Sequence, residues 1–353
     1  LFADSNLASI QDGLARKMFD PINSLDQTTK LLSQIGITTS VDGKLNVDDT
    51  DLDEALSDNL DEVMRLFAAN GETSNASVSY LSSSDQTKVS TTAGYAVEIT
   101  AVATRARITA GVAQSDVLTQ DETLTLNGEE IELQAGMTQA QVVSKINEYT
   151  SKTGVTASRT DASGLGAGNY LTLMRVGYGS GQSINAMSTM SNGSGATGTS
   201  GIGVTEITIG DPTGESGTGT GVDGTDVAGT INGEAATGRG QTLTGNSGNE
   251  NTDGLALQIT ATTAGSYGTV TFTKGVAALV SDYLVFITDT DTGDIASAKQ
   301  ALQDRIDYIN DDIEKMTKSA SVREAQLIAQ FTAMERAMSR LQNQGNYLSS
   351  MLG

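Results

Sequence analysis

The chain of 353 residues contains no cysteine, no histidine and no tryptophan. The first two absences remove thiolate nucleophiles, Cys/His zinc centres and every Ser-His or Cys-His triad, so most side-chain catalysis is out of reach. A disulfide-stapled module is excluded too, and the fold must rest on packing and assembly. Positive charge is scarce: 21 Lys and Arg stand against 43 Asp and Glu, a formal net charge of -22, and no Lys/Arg stripe reverses it locally. Such a field repels phosphate backbones, so nucleic acid is not an expected partner. No apolar run approaches the roughly 20 residues of a spanning helix, and no membrane insertion is expected. Aromatics make up 4% of the chain, thin for one large core, whereas the spaced aliphatics suffice for several small ones. The sequence opens on Leu1, not Met, with no charged-then-apolar leader before Asp4, and reads as part of a longer protein.

What is present is periodic. Leu7, Ile10, Leu14 and Met18, then Ile22, Leu25, Leu31, Leu32 and Ile35, recur at roughly helical spacing. The break at Asp20-Pro21 predicts two helical pieces, because proline disfavours helix in the residue before it. Alternation on either side of Asp42-Gly43 predicts a small hairpin, and Leu52, Leu56, Leu60, Val63, Leu66 and Phe67 predict a further amphipathic helix. From Glu72 to Gly275 the period drops to two and Ser, Thr and Gly dominate. Asn127-Gly128 and Asn232-Gly233 supply hairpin turns there, and Thr138 with Gln141 has capping-box spacing before a short helix. The expected fold is α+β and multidomain. A helical bundle or coiled-coil stalk is formed by both ends of the chain, and a pair of small antiparallel β-rich domains is inserted between them. The expected divisions are 1–71, a helical stalk part with a hairpin; 72–200 and 201–275, two β-rich domains; and 276–353, the C-terminal stalk.

Three patterns invite a chemical reading and each has a plainer one. Gly193 to Gly198 and Gly219 to Gly224 match G-x-G-x-x-G, but neither sits between a buried strand and a helix, so no phosphate cradle is expected. Asp289, Asp291 and Asp294 resemble part of a calcium loop, yet Gln300 stands where the bidentate Glu belongs, and a polar turn before the next helix accounts for them. Asp48, Asp49, Asp51, Asp53 and Glu54 crowd a helix start, where the dipole favours anions; an acid pair for glycoside hydrolysis is the alternative. No catalytic residue, cofactor or metal is expected.

The last helix carries the strongest signal. Leu302, Ile306, Ile309, Ile313 and Met316 alternate steps of four and three, as in a heptad seam. Arg323 interrupts the seam, and Leu327, Phe331 and Met334 follow at steps of four, four and three, an eleven-residue stutter that locally unwinds a supercoil. Heptads resume through Met338, Leu341, Leu348 and Leu352, with Tyr347 beside them. These thirteen residues are expected to meet a partner helix, within the chain or on another copy.

The stretch Gln330-Phe331-Thr332-Ala333-Met334-Glu335-Arg336-Ala337-Met338-Ser339-Arg340-Leu341-Gln342-Asn343-Gln344-Gly345-Asn346-Tyr347-Leu348 resembles the C-terminal signature of the flagellar filament cap (FliD) family. Leu302 to Ile306, Ile309 to Ile313, Arg323-Glu324, Ile35 to Thr38 and Asp42 to Leu45 are also similar to that family. Leu126-Asn127-Gly128 through Ile146-Asn147 to Ala157 resembles the hook-IN motif of flagellins and cap proteins. The resemblance implies a ring-like homo-oligomer at the distal tip of a bacterial flagellum, exported without a cleaved signal peptide. Flagellin and hook-filament junction proteins are its implied partners, and no enzyme activity is implied. A flagellin or junction protein, or a secreted adhesive or carbohydrate-binding β-protein, are the alternatives.

Overall fold

A computed structural model describes residues 5–22, 25, 28–40, 44–191, 197–209 and 219–353, and in it helix and antiparallel sheet are mixed. The chain divides into two units, Phe19–Leu279 and Leu1–Met18 with Val280–Gly353.

In the first unit the described residues between Pro21 and Leu31 form no helix, and one 3-10 turn, Leu32–Ile35, follows where the periodicity predicts a second helix. Ile22, Leu25, Leu32 and Ile35 are nevertheless buried, so the pattern marked a core and not a helix. Gly36 stops the turn in the left-handed region at φ 79°, and Ile37–Thr39 pairs antiparallel with Leu45–Val47. The Asp42-Gly43 turn lies outside the described residues. Numbering helices in chain order, α1 is Ser5–Phe19, in the other unit, and α2 is Asp49–Phe67. The Asp48 carboxylate caps α2, accepting from Thr50 N at 3.0 Å and Asp51 N at 3.3 Å. A kink at Asn59 is recapped, its Oδ1 accepting from Glu62 N.

The β-rich part has two separate cores. An eight-stranded antiparallel sheet runs in the order Asn70–Thr73, Gly265–Thr273, Tyr95–Ala101, Ala228–Ile231, Glu234–Arg239, Thr242–Gly245, Ala256–Ile259 and Val78–Ser82. Its two edge strands are successive in the chain and lie beside each other, so the sheet curls toward closure around Val97, Ile99, Ile231, Leu243, Leu257 and Phe272. The other lobe stacks two four-stranded sheets. One orders Gly219–Val222, Arg107–Ala110, Tyr170–Arg175 and Val155–Thr160; the other orders Ile207–Thr208, Asn185–Ser188, Glu122–Leu126 and Glu129–Leu133. Helix α3 (Gln139–Glu148) buries Val142 and Ile146 in this core, and the four-residue α4 (Thr150–Thr153) follows it. The capping box is present: Gln141 N donates to Thr138 Oγ1 and Thr138 N to Gln141 Oε1, satisfying donors that a helix start leaves open.

Both Asn-Gly pairs form the expected turns, with φ of 50° and 84° at Asn127 and Gly128 and 57° and 73° at Asn232 and Gly233. The expected division at 200/201 does not fall where the sheets part. Strands between 70 and 101 complete the eight-stranded sheet with those between 228 and 273, while Gly219–Val222 pairs with Arg107–Ala110 in the paired-sheet lobe. One lobe is thus set into the other. Periodicity reads strands locally, but which strands share a sheet is decided by pairings far apart in sequence.

The second unit holds α1, most of α5 (Val276–Thr288) and α6 (Asp294–Leu352). The Tyr283 hydroxyl donates to Ile10 O at 3.4 Å, and its ring occupies the space left by Gly13, where a Cβ would collide with it. Ser9 lies beside Ser297, Ala298 and Ala301 in the first turns of α6.

Candidate interaction helix

Helix α6 is continuous for 59 residues, roughly 90 Å at 1.5 Å per residue. The Arg323 position and the stutter do not break it, because every residue from Asp294 to Leu352 other than Gly345 carries a side chain compatible with helix, and there is no proline. Asp289 forms the turn that precedes it. Its Oδ1 accepts from Asp291 N at 3.0 Å, Thr292 N at 2.6 Å and Thr292 Oγ1 at 2.9 Å. Those donors, the Thr292 N–H foremost, hold the Asp289 carboxyl below its ordinary value. Asp289 Oδ1 is therefore engaged within the turn, as in a polar turn before a helix.

All thirteen seam residues lie on α6, and none is buried. Their exposure runs from 47% at Leu327 to 86% at Leu352. The structure lines up Leu302, Ile306, Ile309, Ile313, Met316, Leu327, Phe331, Met334, Met338, Leu341, Leu348 and Leu352 along one helix, with Tyr347 at its margin, and among the described residues no second helix buries them. Of the bundle expected from both ends of the chain, the described residues show the Tyr283–Ile10 contact of α5 with α1 and Ser9 of α1 beside the first turns of α6. The physical reason is geometric: α1 has 15 residues and cannot cover a seam that runs from Leu302 to Leu352. A trough beside Ala329, Ala333 and Ala337 has only the helix's own side chains as walls, so it is an open stripe and not a ligand cavity.

Sequence reasoning missed a second exposed apolar surface. Leu284, Val285 and Phe286 on α5 are all open to solvent, although this helix is apolar on nearly every side. The signal was legible: Val276 to Ile287 has Asp282 as its single charged residue, and a helix hydrophobic all round is one that gets covered. Among the described residues no group of three or more Asp or Glu is placed to hold a metal ion. The acidic start of α2 is arranged around its cap, and Gly219–Val222 is a strand, with no helix after it. Most of the other glycine pattern, positions 193–196, lies outside the described residues.

These features define a class before any relative is considered: a chain with antiparallel β-lobes and a long helix that exposes an apolar stripe. Residues 1–155 and 246–343 match the profile of the family described as flagellar hook-associated protein 2 C-terminus, which is more than half of the chain, and the chain belongs to that family. The family is one of structural flagellar proteins and not of enzymes. Among curated proteins no relative matches. Solved structures with similarity include the D1-D2-D3 domains of the flagellar cap protein FliD from Escherichia coli, at 18% identity and TM-score 0.39, covering 62% of this chain and 62% of that one. The D2-D3 domains of the same protein match at 19% identity and TM-score 0.37, covering 59% and 100%. FliD (HAP2) from Pseudomonas aeruginosa PAO1 matches at 16% identity and TM-score 0.33, covering 68% and 96%. The chain thus spans less than two thirds of the first of these structures.

Proposed function

We propose that this chain is the C-terminal portion of a structural cap at the distal end of the bacterial flagellar filament. It promotes folding and insertion of flagellin by oligomeric packing and carries out no chemistry. Membership of the hook-associated protein 2 family supports the setting. The observation that carries the role is the seam of α6, thirteen apolar side chains exposed along one helix. Burying a leucine is worth about 1.5–3 kcal/mol, so an uncovered seam of this length is a strong site for helix-to-helix attachment. The seam and the helices α1 and α5 would together form the stalk, with the two β-lobes as inserted domains. Self-association into a ring, contact with flagellin and hook-filament junction proteins, and export to the extracellular tip without a cleaved signal peptide belong to the same reading.

The test is made in the full-length protein in cells. An antibody against this chain should label one end of each filament, and labelling along the filament would make it a filament subunit instead. With Leu341→Asp and Leu348→Asp together, the protein should be exported but should not cap, and unpolymerised flagellin should appear in the medium. Normal filaments from that variant would remove α6 as the attachment element.

A further inference from the structure

The chain passes between the two β-lobes twice, near 102–105 and near 223–227, and the lobes' cores have no residue in common. Two strands joining two independent cores make a hinge unless something closes it. Among the groups at the junction is the Asp226 carboxylate. Asp226, next to the core residue Val227 of the eight-stranded lobe, accepts at Oδ1 from Gly240 N at 2.6 Å and from Ser180 N at 3.2 Å. Its Oδ2 accepts from the Ser180 hydroxyl. Gly240 belongs to the turn after Glu234–Arg239 in the eight-stranded lobe, and Ser180 follows Tyr170–Arg175 in the paired-sheet lobe. One side chain therefore bonds both bodies.

The surroundings are built for close approach. Thr104 N donates to Thr225 O, Thr225 N to Thr104 Oγ1 and Gly179 N to Thr104 O, so the two passages are stitched to each other. Glycine stands at 179, 224 and 240, and at each a Cβ would meet atoms across the junction. The Arg105 guanidinium lies 4.5 Å from the centroid of the Tyr178 ring and flanks the same contact. These contacts are polar or glycine-to-backbone, with no shared apolar core behind them. Angular order between the lobes then depends on directional bonds, of which charge-assisted ones to a carboxylate are the strongest kind.

We propose that Asp226 is the latch that fixes the angle between the two β-lobes, and that without it the two passages act as a hinge. The absence of native cysteine makes the test clean. Spin labels on Glu130→Cys in the paired-sheet lobe and Gln258→Cys in the eight-stranded lobe, both at exposed strand positions, report the inter-lobe distance. With Asp226 in place the distance distribution should be a single narrow peak. Asp226→Ala should abolish that peak in favour of a broad distribution, while the thermal transition of the paired-sheet lobe stays where it was and that of the eight-stranded lobe, which loses the acceptor of Gly240 N, falls modestly. A peak as narrow in Asp226→Ala as in the parent overturns the proposal. Should that variant not fold, Ser180→Pro decides: it removes both donors of the exposed Ser180 and leaves Asp226 with Gly240, and a broad distribution supports the latch while a narrow one overturns it.

Discussion

At the scale of single residues, the glycines of the sheets separate into those that make room and those that merely turn. A Cβ at Gly238 would lie well inside contact distance of Val227 O, a backbone atom that cannot swing aside. Gly238→Ala is therefore expected to destabilise the eight-stranded lobe by about 1–3 kcal/mol or more, as overpacking does. Gly181→Ala meets nothing within 4 Å and has no positive φ, so it should be neutral or gain a few tenths. Urea midpoints of the two variants check both signs. Glu234 gives a pH-dependent counterpart. Burial works against its charge, but bonds from Thr252 Oγ1, Asn251 Nδ2 and the two backbone N–H groups outweigh this and hold its carboxyl below the ordinary value. Because the folded value is the lower one, the stabilisation is complete above the unfolded glutamate value, about 4.3, and is lost as pH falls through the folded one. Glu234→Gln should remove that acid-range loss, seen as a flatter stability profile below about pH 4.3, while lowering stability at pH 7. No sequence pattern announced Glu234 or Asp226. Their partners lie up to 18 and 46 positions away, and an acid among threonines and glycines reads as solvated surface.

At the scale of elements, the sequence was most legible where local rules decide. The Thr138/Gln141 box, both Asn-Gly turns and the helical state of the stretch from Leu302 to Leu352 came through because capping, positive φ and periodicity act over a few residues. The segment 22–35 did not, since buried positions at helical spacing are equally compatible with an irregular chain folded over a small core. For α6 the periodicity identified an apolar stripe, but a stripe does not name its occupant. In solution, Leu341→Asp with Leu348→Asp should reduce self-association of this chain, read by sedimentation, and leave the melting of the β-lobes unchanged. Unaltered sedimentation together with normal capping would show that the last turns of the helix are not used for assembly.

At the scale of the molecule, the change of composition at Glu72 and Gly275 marked the β-rich part to within a few residues, but its internal plan was invisible from sequence. The strand Asn70–Thr73 pairs with the end of Gly265–Thr273, and Ala69 packs on the same core. A fragment of residues 69–275 should therefore unfold cooperatively on its own with a β-type circular dichroism spectrum. One starting at residue 76 loses an edge strand and should be markedly less stable. If the longer fragment is disordered, the lobes depend on the helices and the domain division is wrong.

Setting one lobe inside the other also gives folding a direction in time. The eight-stranded sheet cannot close until Thr273 reaches Asn70, 203 positions away, and that loop holds the whole of the paired-sheet lobe. Joining ends so distant is slow, and a compact inner lobe shortens the effective loop. The inner lobe should be first to protect its amides in a pulsed hydrogen-exchange experiment, and the outer sheet second. A chain that emerges amino end first would thus finish its centre before its rim.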